Sequence, residues 1–150
     1  MNRRQSSPQP ESASALAAEL RAVFRKLKQC LRRHGGRSHL TPSQVAVVLR
    51  LEKDGPATVS GLARAEAMRP QSMSAVVTPL LQSALVKGAP DPDDGRQTLI
   101  SLTPKCLNLL EQGRAARQDW LAARISRRLS AQQQQKLQAA IALLARLVED

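Results

Sequence analysis

The feature that most constrains the fold is one turn-rich segment in a chain whose other patterned segments are helical. This segment reads Pro-Asp-Pro-Asp-Asp-Gly-Arg at 90–96, and strand-like runs at 86–89 and 97–102 flank it. Turn residues between two short strand-like runs predict a β-hairpin with a long polar tip. We therefore expect a mainly α fold that contains one small hairpin.

Helical periodicity and capping signals predict six helices around this hairpin. Apolar residues recur at helical spacing from Leu16 to Leu31, and the Gly-Gly pair at 35–36 ends the pattern. Thr41-Pro42 and Thr103-Pro104 each combine an N-cap residue with a proline at the first helical position. The remaining predicted helix starts are Thr58, Pro70 and Ser130.

Charge and composition narrow the classes of function. The chain has 23 Lys and Arg against 12 Asp and Glu, and its formal net charge of +11 favours an anionic partner. No run approaches the ~20 apolar residues of a membrane span, and no secretory signal is visible, so we expect a cytoplasmic protein without membrane attachment. With one Phe, one Trp and no Tyr, modules that stack single-stranded bases on aromatic rings are disfavoured. Double-stranded DNA is the favoured partner.

Three short helices followed by a hairpin are the element order of a winged helix-turn-helix, in which the second helix of the turn enters the DNA major groove. The fourth predicted helix is the candidate, with apolar residues at 73, 76, 77 and 80 on one face. Its other face carries short neutral side chains that suit base edges. Pro79 predicts a kink near Thr78 or an early end of this helix. The predicted DNA-binding residues are Gln71, Ser72, Ser74, Ala75 and Thr78.

From about Leu16 to Val148, the chain resembles the MarR family of transcriptional regulators. The resemblance is most specific at 40–44, 62–63 and 80–86, and at Asp91-Pro92-x-Asp94-x-Arg96 leading into Leu102-Thr103. It implies a winged helix-turn-helix with flanking N- and C-terminal dimerisation helices, a homodimer, and a repressor that binds a palindromic operator. It also implies that a small-molecule effector, aromatic or phenolic, releases the DNA.

The same resemblance assigns roles in the wing. Arg96 corresponds to the wing-tip arginine that enters the minor groove, and Asp94 to the aspartate that helps to hold the loop. A nearby carboxylate can fix the fork of an arginine, and an arginine on a hairpin tip suits the negative potential of a narrow minor groove.

We expect a flexible tail at 1–12, an N-terminal dimerisation helix at 13–39, a DNA-binding lobe at 40–103 and C-terminal dimerisation helices at 104–150. Residues 1–39 carry 9 basic and 2 acidic groups, 40–103 carry 6 and 6, and 104–150 carry 8 and 4, so the net charges are +7, 0 and +4. Because the DNA-binding lobe is neutral, phosphate contacts are expected chiefly from the flanking segments. The candidates are Arg32, Arg33, Arg37 and, before the fourth helix, Arg69.

Other chemistry has weaker support. The sequence contains no catalytic or cofactor motif, so we expect neither an enzyme nor a cofactor. His34 and His39 flank the Gly-Gly pair without a nearby acidic partner, which disfavours a metal site. Cys30 lies near several cations, and Cys106 lies in a first helical turn, where the helix dipole favours a thiolate. For both cysteines, a role as a small buried hydrophobic side chain is nevertheless favoured.

The alternatives left open are an architectural or non-specific nucleic-acid-binding protein, a thiol-based redox-sensing repressor, and a helical interaction module without DNA binding.

Overall fold

The computed structural model describes residues 10–35 and 39–149. This part contains the predicted helices and the two hairpin strands in the predicted order, with one additional short strand, which confirms a mainly α fold with a small hairpin. The first helix begins at Pro10, inside the predicted tail, and residues 1–9 lie outside the described part. The elements are α1 (Pro10–His34), α2 (Pro42–Asp54), β1 (Ala57–Thr58), α3 (Val59–Ala65), α4 (Pro70–Gln82), β2 (Val86–Pro90), β3 (Thr98–Leu102), α5 (Pro104–Arg128) and α6 (Ala131–Arg146).

Side-chain caps form at the starts of α2, α3, α5 and α6. At α2, the Thr41 hydroxyl accepts from the Gln44 N–H at 3.2 Å, while the Gln44 side chain accepts from the Thr41 N–H at 2.9 Å. This reciprocal pair satisfies two backbone donors that a helix start leaves unpaired. Ser130 begins α6 with the same arrangement, and Thr103 caps α5 through the Cys106 N–H at 3.2 Å.

The strands form one antiparallel sheet in the order β1-β3-β2. Val86 pairs with Leu102 and Pro90 with Thr98, so β2 and β3 are the two arms of the wing. The two residues of β1 pair with Leu99 and Ile100 on the other side of β3. The sequence analysis did not predict β1, because two residues carry no periodic signal.

The hydrophobic core lies in the segment from α2 to α5. Its fully buried side chains include Leu62, Met73 and Leu80, and α5 contributes Cys106 and Leu110. Burial of apolar side chains is the main stabilising contribution to such a lobe. The core therefore extends past the expected boundary at residue 103 into the first turns of α5.

Helix α4 continues through Pro79 to Gln82, so it does not end early. Proline cannot donate the usual bond to the preceding turn. The Thr78 hydroxyl donates to the Ser74 carbonyl at 2.8 Å, and the Ser83 N–H donates to the Pro79 carbonyl at 3.0 Å. These bonds accompany an α4 that extends three residues beyond the proline.

Left-handed alanines lie on both sides of α4. Ala67 precedes it with φ 53°, and Ala84 follows it with φ 57°. At Ala84 the turn closes as a Schellman motif, with the Leu85 N–H bonded to the Leu80 carbonyl at 2.9 Å and the Ala84 N–H to the Leu81 carbonyl at 3.0 Å. Glycine is the usual residue at this position, since a Cβ is strained there. The path of the chain into and out of α4 is therefore set by two strained residues.

Helix α1 approaches α5 closely. A Cβ on Gly113 would overlap the carbonyl oxygen of Gly35, so the backbone segments at these two residues touch at a position that only glycine permits. About two turns further along α5, Trp120 stacks on His34 with ring centroids 4.7 Å apart. These contacts fix the C-terminal end of α1 on the middle of α5.

Candidate nucleic-acid interface

Helix α4 has one buried face and one exposed face. Met73, Val77 and Leu80 are at most 2% exposed and pack into the core. The predicted base-reading residues occupy the opposite side, and all of them are exposed. They are Gln71, Ser72, Ser74, Ala75 and Thr78. The helix thus presents a surface of short neutral side chains, anchored from behind by the core.

The first turn of α4 has no side-chain cap. Arg69 occupies the N-cap position and makes no capping hydrogen bond, and Pro70 fills the first helical position. The N–H groups of Gln71 and Ser72 therefore lack a side-chain acceptor at this helix start. Together with the exposed Arg69 guanidinium, which forms no ion pair among the described residues, they suit an anionic oxygen.

The wing tip is organised by aspartates. The Asp91 carboxylate accepts from the Asp93 N–H at 2.9 Å, and the Asp91 N–H donates to the Gln97 carbonyl at 2.9 Å. Asp94 accepts from the Arg96 N–H at 3.1 Å and from the Gln97 side-chain amide at 3.3 Å. Asp94 therefore holds the backbone of the loop.

This geometry corrects one detail of the sequence analysis, which expected the carboxylate to fix the arginine fork. The Asp94 side chain bonds to the Arg96 backbone, and within residues 10–35 and 39–149 the Arg96 guanidinium forms no ion pair. Arg96 is exposed at the tip. Its guanidinium is therefore available to an external acceptor.

Several cations near the core are already engaged. Arg50 pairs with Glu66 and Asp54, and the hydrogen bond that Arg50 donates to the Glu66 carboxylate is the main cause that raises the pKa of its guanidinium. Arg114 on α5 pairs with Glu52 on α2. Lys105 donates to the Ser83 carbonyl at 2.9 Å, where it stabilises the C-terminal end of α4. No local sequence pattern predicts this last contact, which spans 22 residues.

Of the predicted phosphate-binding arginines of the N-terminal segment, two lie within the described residues and one lies outside them. Arg32 and Arg33 lie exposed in the last turn of α1. Arg37 lies outside the described residues.

The two cysteines differ in environment. Cys106 is fully buried, and burial, followed by the charge of Glu52, raises the pKa of its thiol. The expected effect of the helix dipole is therefore outweighed, and the structure argues against a reactive thiolate at Cys106. Cys30 is half-buried on α1. In the described ranges, no group of three or more His, Cys, Asp or Glu side chains could hold a metal ion.

No helix in the part of the chain that the structure describes combines the length and apolar character needed to cross a membrane.

The three-stranded sheet, the anchored α4 and the extended hairpin define a winged-helix DNA-binding regulator. The sequence pattern described as the MarR family matches residues 40–98, which run from α2 to the start of β3. An HTH-type transcriptional regulator of Mycobacterium bovis is 34% identical over 140 residues, which are 93% of this chain and 97% of that protein.

Solved structures agree with this assignment. A protein from Pseudomonas aeruginosa, named as a transcriptional regulator, is 31% identical with a TM-score of 0.75, over 95% of this chain and 99% of its own. A mutant of S. aureus MepR bound to an oligodeoxyribonucleotide shares the fold at 18% identity, with a TM-score of 0.71 over 89% of this chain and 98% of its own. The chain belongs to the MarR family of transcriptional regulators, which are non-enzymatic DNA-binding proteins.

Proposed function

We propose that this regulator is a cytoplasmic repressor that binds a palindromic operator as a homodimer and is released by a small aromatic or phenolic ligand. The observation that carries the proposal is the division of α4, whose apolar side chains are buried while Gln71, Ser74 and Thr78 are exposed together. A recognition helix needs this arrangement, because its outer side chains must reach base edges in the major groove.

Each exposed side chain has a specific use in this proposal. Gln71 can bond an adenine edge with two hydrogen bonds, and the Ala75 methyl can contact a thymine methyl. The hydroxyl of Thr78 donates to the Ser74 carbonyl, so Thr78 offers a base only its acceptor oxygen and its methyl group. Ser72 and Arg69 would contact phosphates, and Arg96 would enter the adjacent minor groove.

Dimerisation is supported by apolar surface that this chain does not cover. Within the described residues, α6 has no buried side chain, and Ile141 is 56% and Leu147 71% exposed. On α1, Leu16 is 67% and Val23 62% exposed. A second copy would bury these surfaces, and a two-fold dimer would place two recognition helices on a two-fold DNA site.

Selection of bound duplexes from a random pool, followed by sequencing, tests the recognition part. We expect a palindrome whose half-sites lie about 34 Å apart, one helical turn of DNA. Gln71→Ala should relax the preference at one base position in each half-site, whereas Gln112→Ala, an exposed glutamine on α5, should leave the pattern unchanged. Recovery of unrelated sequences would contradict specific recognition and favour a non-specific DNA-binding protein.

Light scattering tests the dimer. The expected mass is twice the 16.3 kDa of one chain. Ile141→Asp should shift the mass toward one chain, because it would place a charge in an apolar interface. A wild-type monomer at micromolar concentration would contradict the proposal.

Trp120 offers a direct test of ligand release, because it is the single tryptophan of the sequence. A panel of phenols and aromatic carboxylates should include compounds that change the Trp120 emission and weaken operator binding over the same concentration range. Operator affinity that stays constant across the panel would contradict release by this class of ligand.

A further inference from the structure

Helix α1 carries a basic stripe, which we define as Arg21, Arg25, Lys28 and Arg32. The spacings of four, three and four residues place these side chains along one side of the helix. All of them are exposed, and with Phe24 and Gln29 they line an open groove of about 750 Å³.

The stripe lies on a different side of α1 from its packed leucines. Leu20, Leu27 and Leu31 are half-buried, their spacing places them roughly a third of a turn around the helix from the stripe, and α1 packs against α5. Each side chain of the stripe lies three or four residues from another like charge, and such pairs oppose helix formation. The stripe therefore makes α1 less stable in the absence of an anion.

No acidic side chain in the described part of the chain pairs with the stripe. Glu19 precedes Arg21 by two residues, a spacing at which helical side chains do not face each other. Among the ion pairs of the described residues, none involves the stripe. Its positive field is therefore directed at the surroundings.

The stripe complements the backbone of duplex DNA. Eleven residues separate Arg21 from Arg32, so the stripe is about 16 Å long, which is about the axial length of five phosphates of one strand. The DNA-binding lobe at 40–103 has equal numbers of acidic and basic residues, so it does not itself supply a strong attraction for DNA. A DNA-binding protein with its charge placed in this way binds phosphates most strongly outside its base-reading surface.

We propose that the basic stripe of α1 is a second duplex-binding surface, which binds backbone phosphates irrespective of base sequence. This surface goes beyond the operator recognition assigned to α4 and the wing. The stripe raises the concentration of DNA near the regulator, and it holds a duplex even when the recognition helix makes no specific contact.

The test replaces all four stripe residues by glutamine. The probe is a fluorescent 30-base-pair duplex of arbitrary sequence, titrated between 50 and 300 mM NaCl. The slope of log K against log salt should fall in magnitude by about 3 to 4, since each lost phosphate contact removes about 0.9. The matched control removes four exposed cations from α5 and α6, namely Arg127, Arg128, Lys136 and Arg146, and should change the slope by less than one.

Three results would overturn the proposal. They are an unchanged slope in the stripe variant, an equal loss of slope in the control, and an altered molecular mass, which would place the stripe in an interface between copies. If the fourfold variant does not fold, the Arg21→Gln/Arg25→Gln and Lys28→Gln/Arg32→Gln pairs should each lower the slope by about 2.

A double variant of the recognition surface, Gln71→Ala/Arg96→Ala, separates this proposal from the proposed function. In this variant, sequence preference should disappear, while binding to the arbitrary duplex and the dependence of that binding on the stripe should persist. Two results in this double variant would refute the second surface, whatever the operator experiment shows. One is no binding of the arbitrary duplex, and the other is binding that does not depend on the stripe.

Discussion

The carboxylate of Asp94 accepts a hydrogen bond from the backbone N–H of Arg96, at 3.1 Å. The same carboxylate accepts a hydrogen bond from the Gln97 side chain, and the Gln97 backbone N–H donates to the Asp94 carbonyl at 2.9 Å. One acidic side chain thus fixes the backbone that carries the wing-tip arginine. Among the residues that the structure describes, the Arg96 guanidinium has no ion-pair partner, so the turn presents it to the surroundings.

This arrangement predicts different results for two substitutions of Asp94. Asp94→Ala removes both acceptors and should weaken operator binding by about 0.5 to 1.5 kcal/mol, the net value of a typical hydrogen bond. Asp94→Asn keeps an oxygen for the Arg96 N–H and should lie close to wild type. Fluorescence anisotropy with the selected operator measures both. Equal losses in the two variants would show that the charge of Asp94 matters more than the geometry of its loop.

Arg96 itself should contribute more. Arg96→Ala is expected to cost about 1 to 3 kcal/mol of operator affinity, because it removes the minor-groove contact that we propose for this arginine. Lys87→Ala, an exposed cation at the base of the wing, serves as the control for loss of one charge. If Arg96→Ala and Lys87→Ala weaken binding equally, the wing acts by general attraction only.

The left-handed alanines predict a gain in stability. Ala84→Gly should raise the free energy of unfolding by about 1 kcal/mol, because glycine adopts a positive φ without the strain of a Cβ. Ala116→Gly, at an exposed helical position of α5, should lower it by a similar amount. Urea unfolding followed by circular dichroism measures both. A loss of stability in Ala84→Gly would show that the Ala84 methyl group contributes more than its strained backbone costs.

Burial of Cys106 predicts selective thiol chemistry. In the native protein at pH 8, iodoacetamide should leave Cys106 unmodified, and mass spectrometry should detect its alkylation only after unfolding. If peroxide releases the operator, Cys30→Ser should abolish the effect and Cys106→Ser should not. Modification of native Cys106 at the rate of Cys30 would contradict its burial.

The raised pKa of Cys106 also gives a pH dependence of stability. Above the ordinary thiol pKa the unfolded chain releases this proton, while the folded chain retains it up to the raised pKa. The contribution is therefore fully present below about pH 8.5 and is lost as the pH rises through the folded value. Cys106→Val should reduce this alkaline loss, as measured by urea unfolding between pH 8 and 10.

Features that depend on near neighbours in the chain were predictable from the sequence. The caps at Thr41, Thr103 and Ser130 use residues three positions apart, and the exposed face of α4 follows from the spacing of its apolar residues. Contacts between distant residues were not predictable. The two-residue β1 exists because Ala57 and Thr58 meet β3 some forty residues later, and Lys105 reaches the end of α4 only after the wing has formed.

The same distinction applies to the candidate site. The sequence indicated which residues the wing tip contains. It could not show whether Asp94 bonds to the backbone or to the guanidinium of Arg96, because that depends on the conformation of the turn. A helix dipole favours a thiolate at an exposed helix start. At Cys106 packing of α5 against the core dehydrates the thiol and outweighs the dipole, and no local sequence pattern reveals this burial.

Helix α5 belongs to two parts of the molecule at once. Its first turns place Cys106 and Leu110 in the core of the DNA-binding lobe, and its middle holds α1 through Gly113 and Trp120. A fragment cut at residue 103 would therefore open the lobe's core to water, so a minimal DNA-binding fragment has to extend at least through Leu110. Because both the lobe and α1 pack on α5, a tilt of this one helix would also displace the lobe and α1 together.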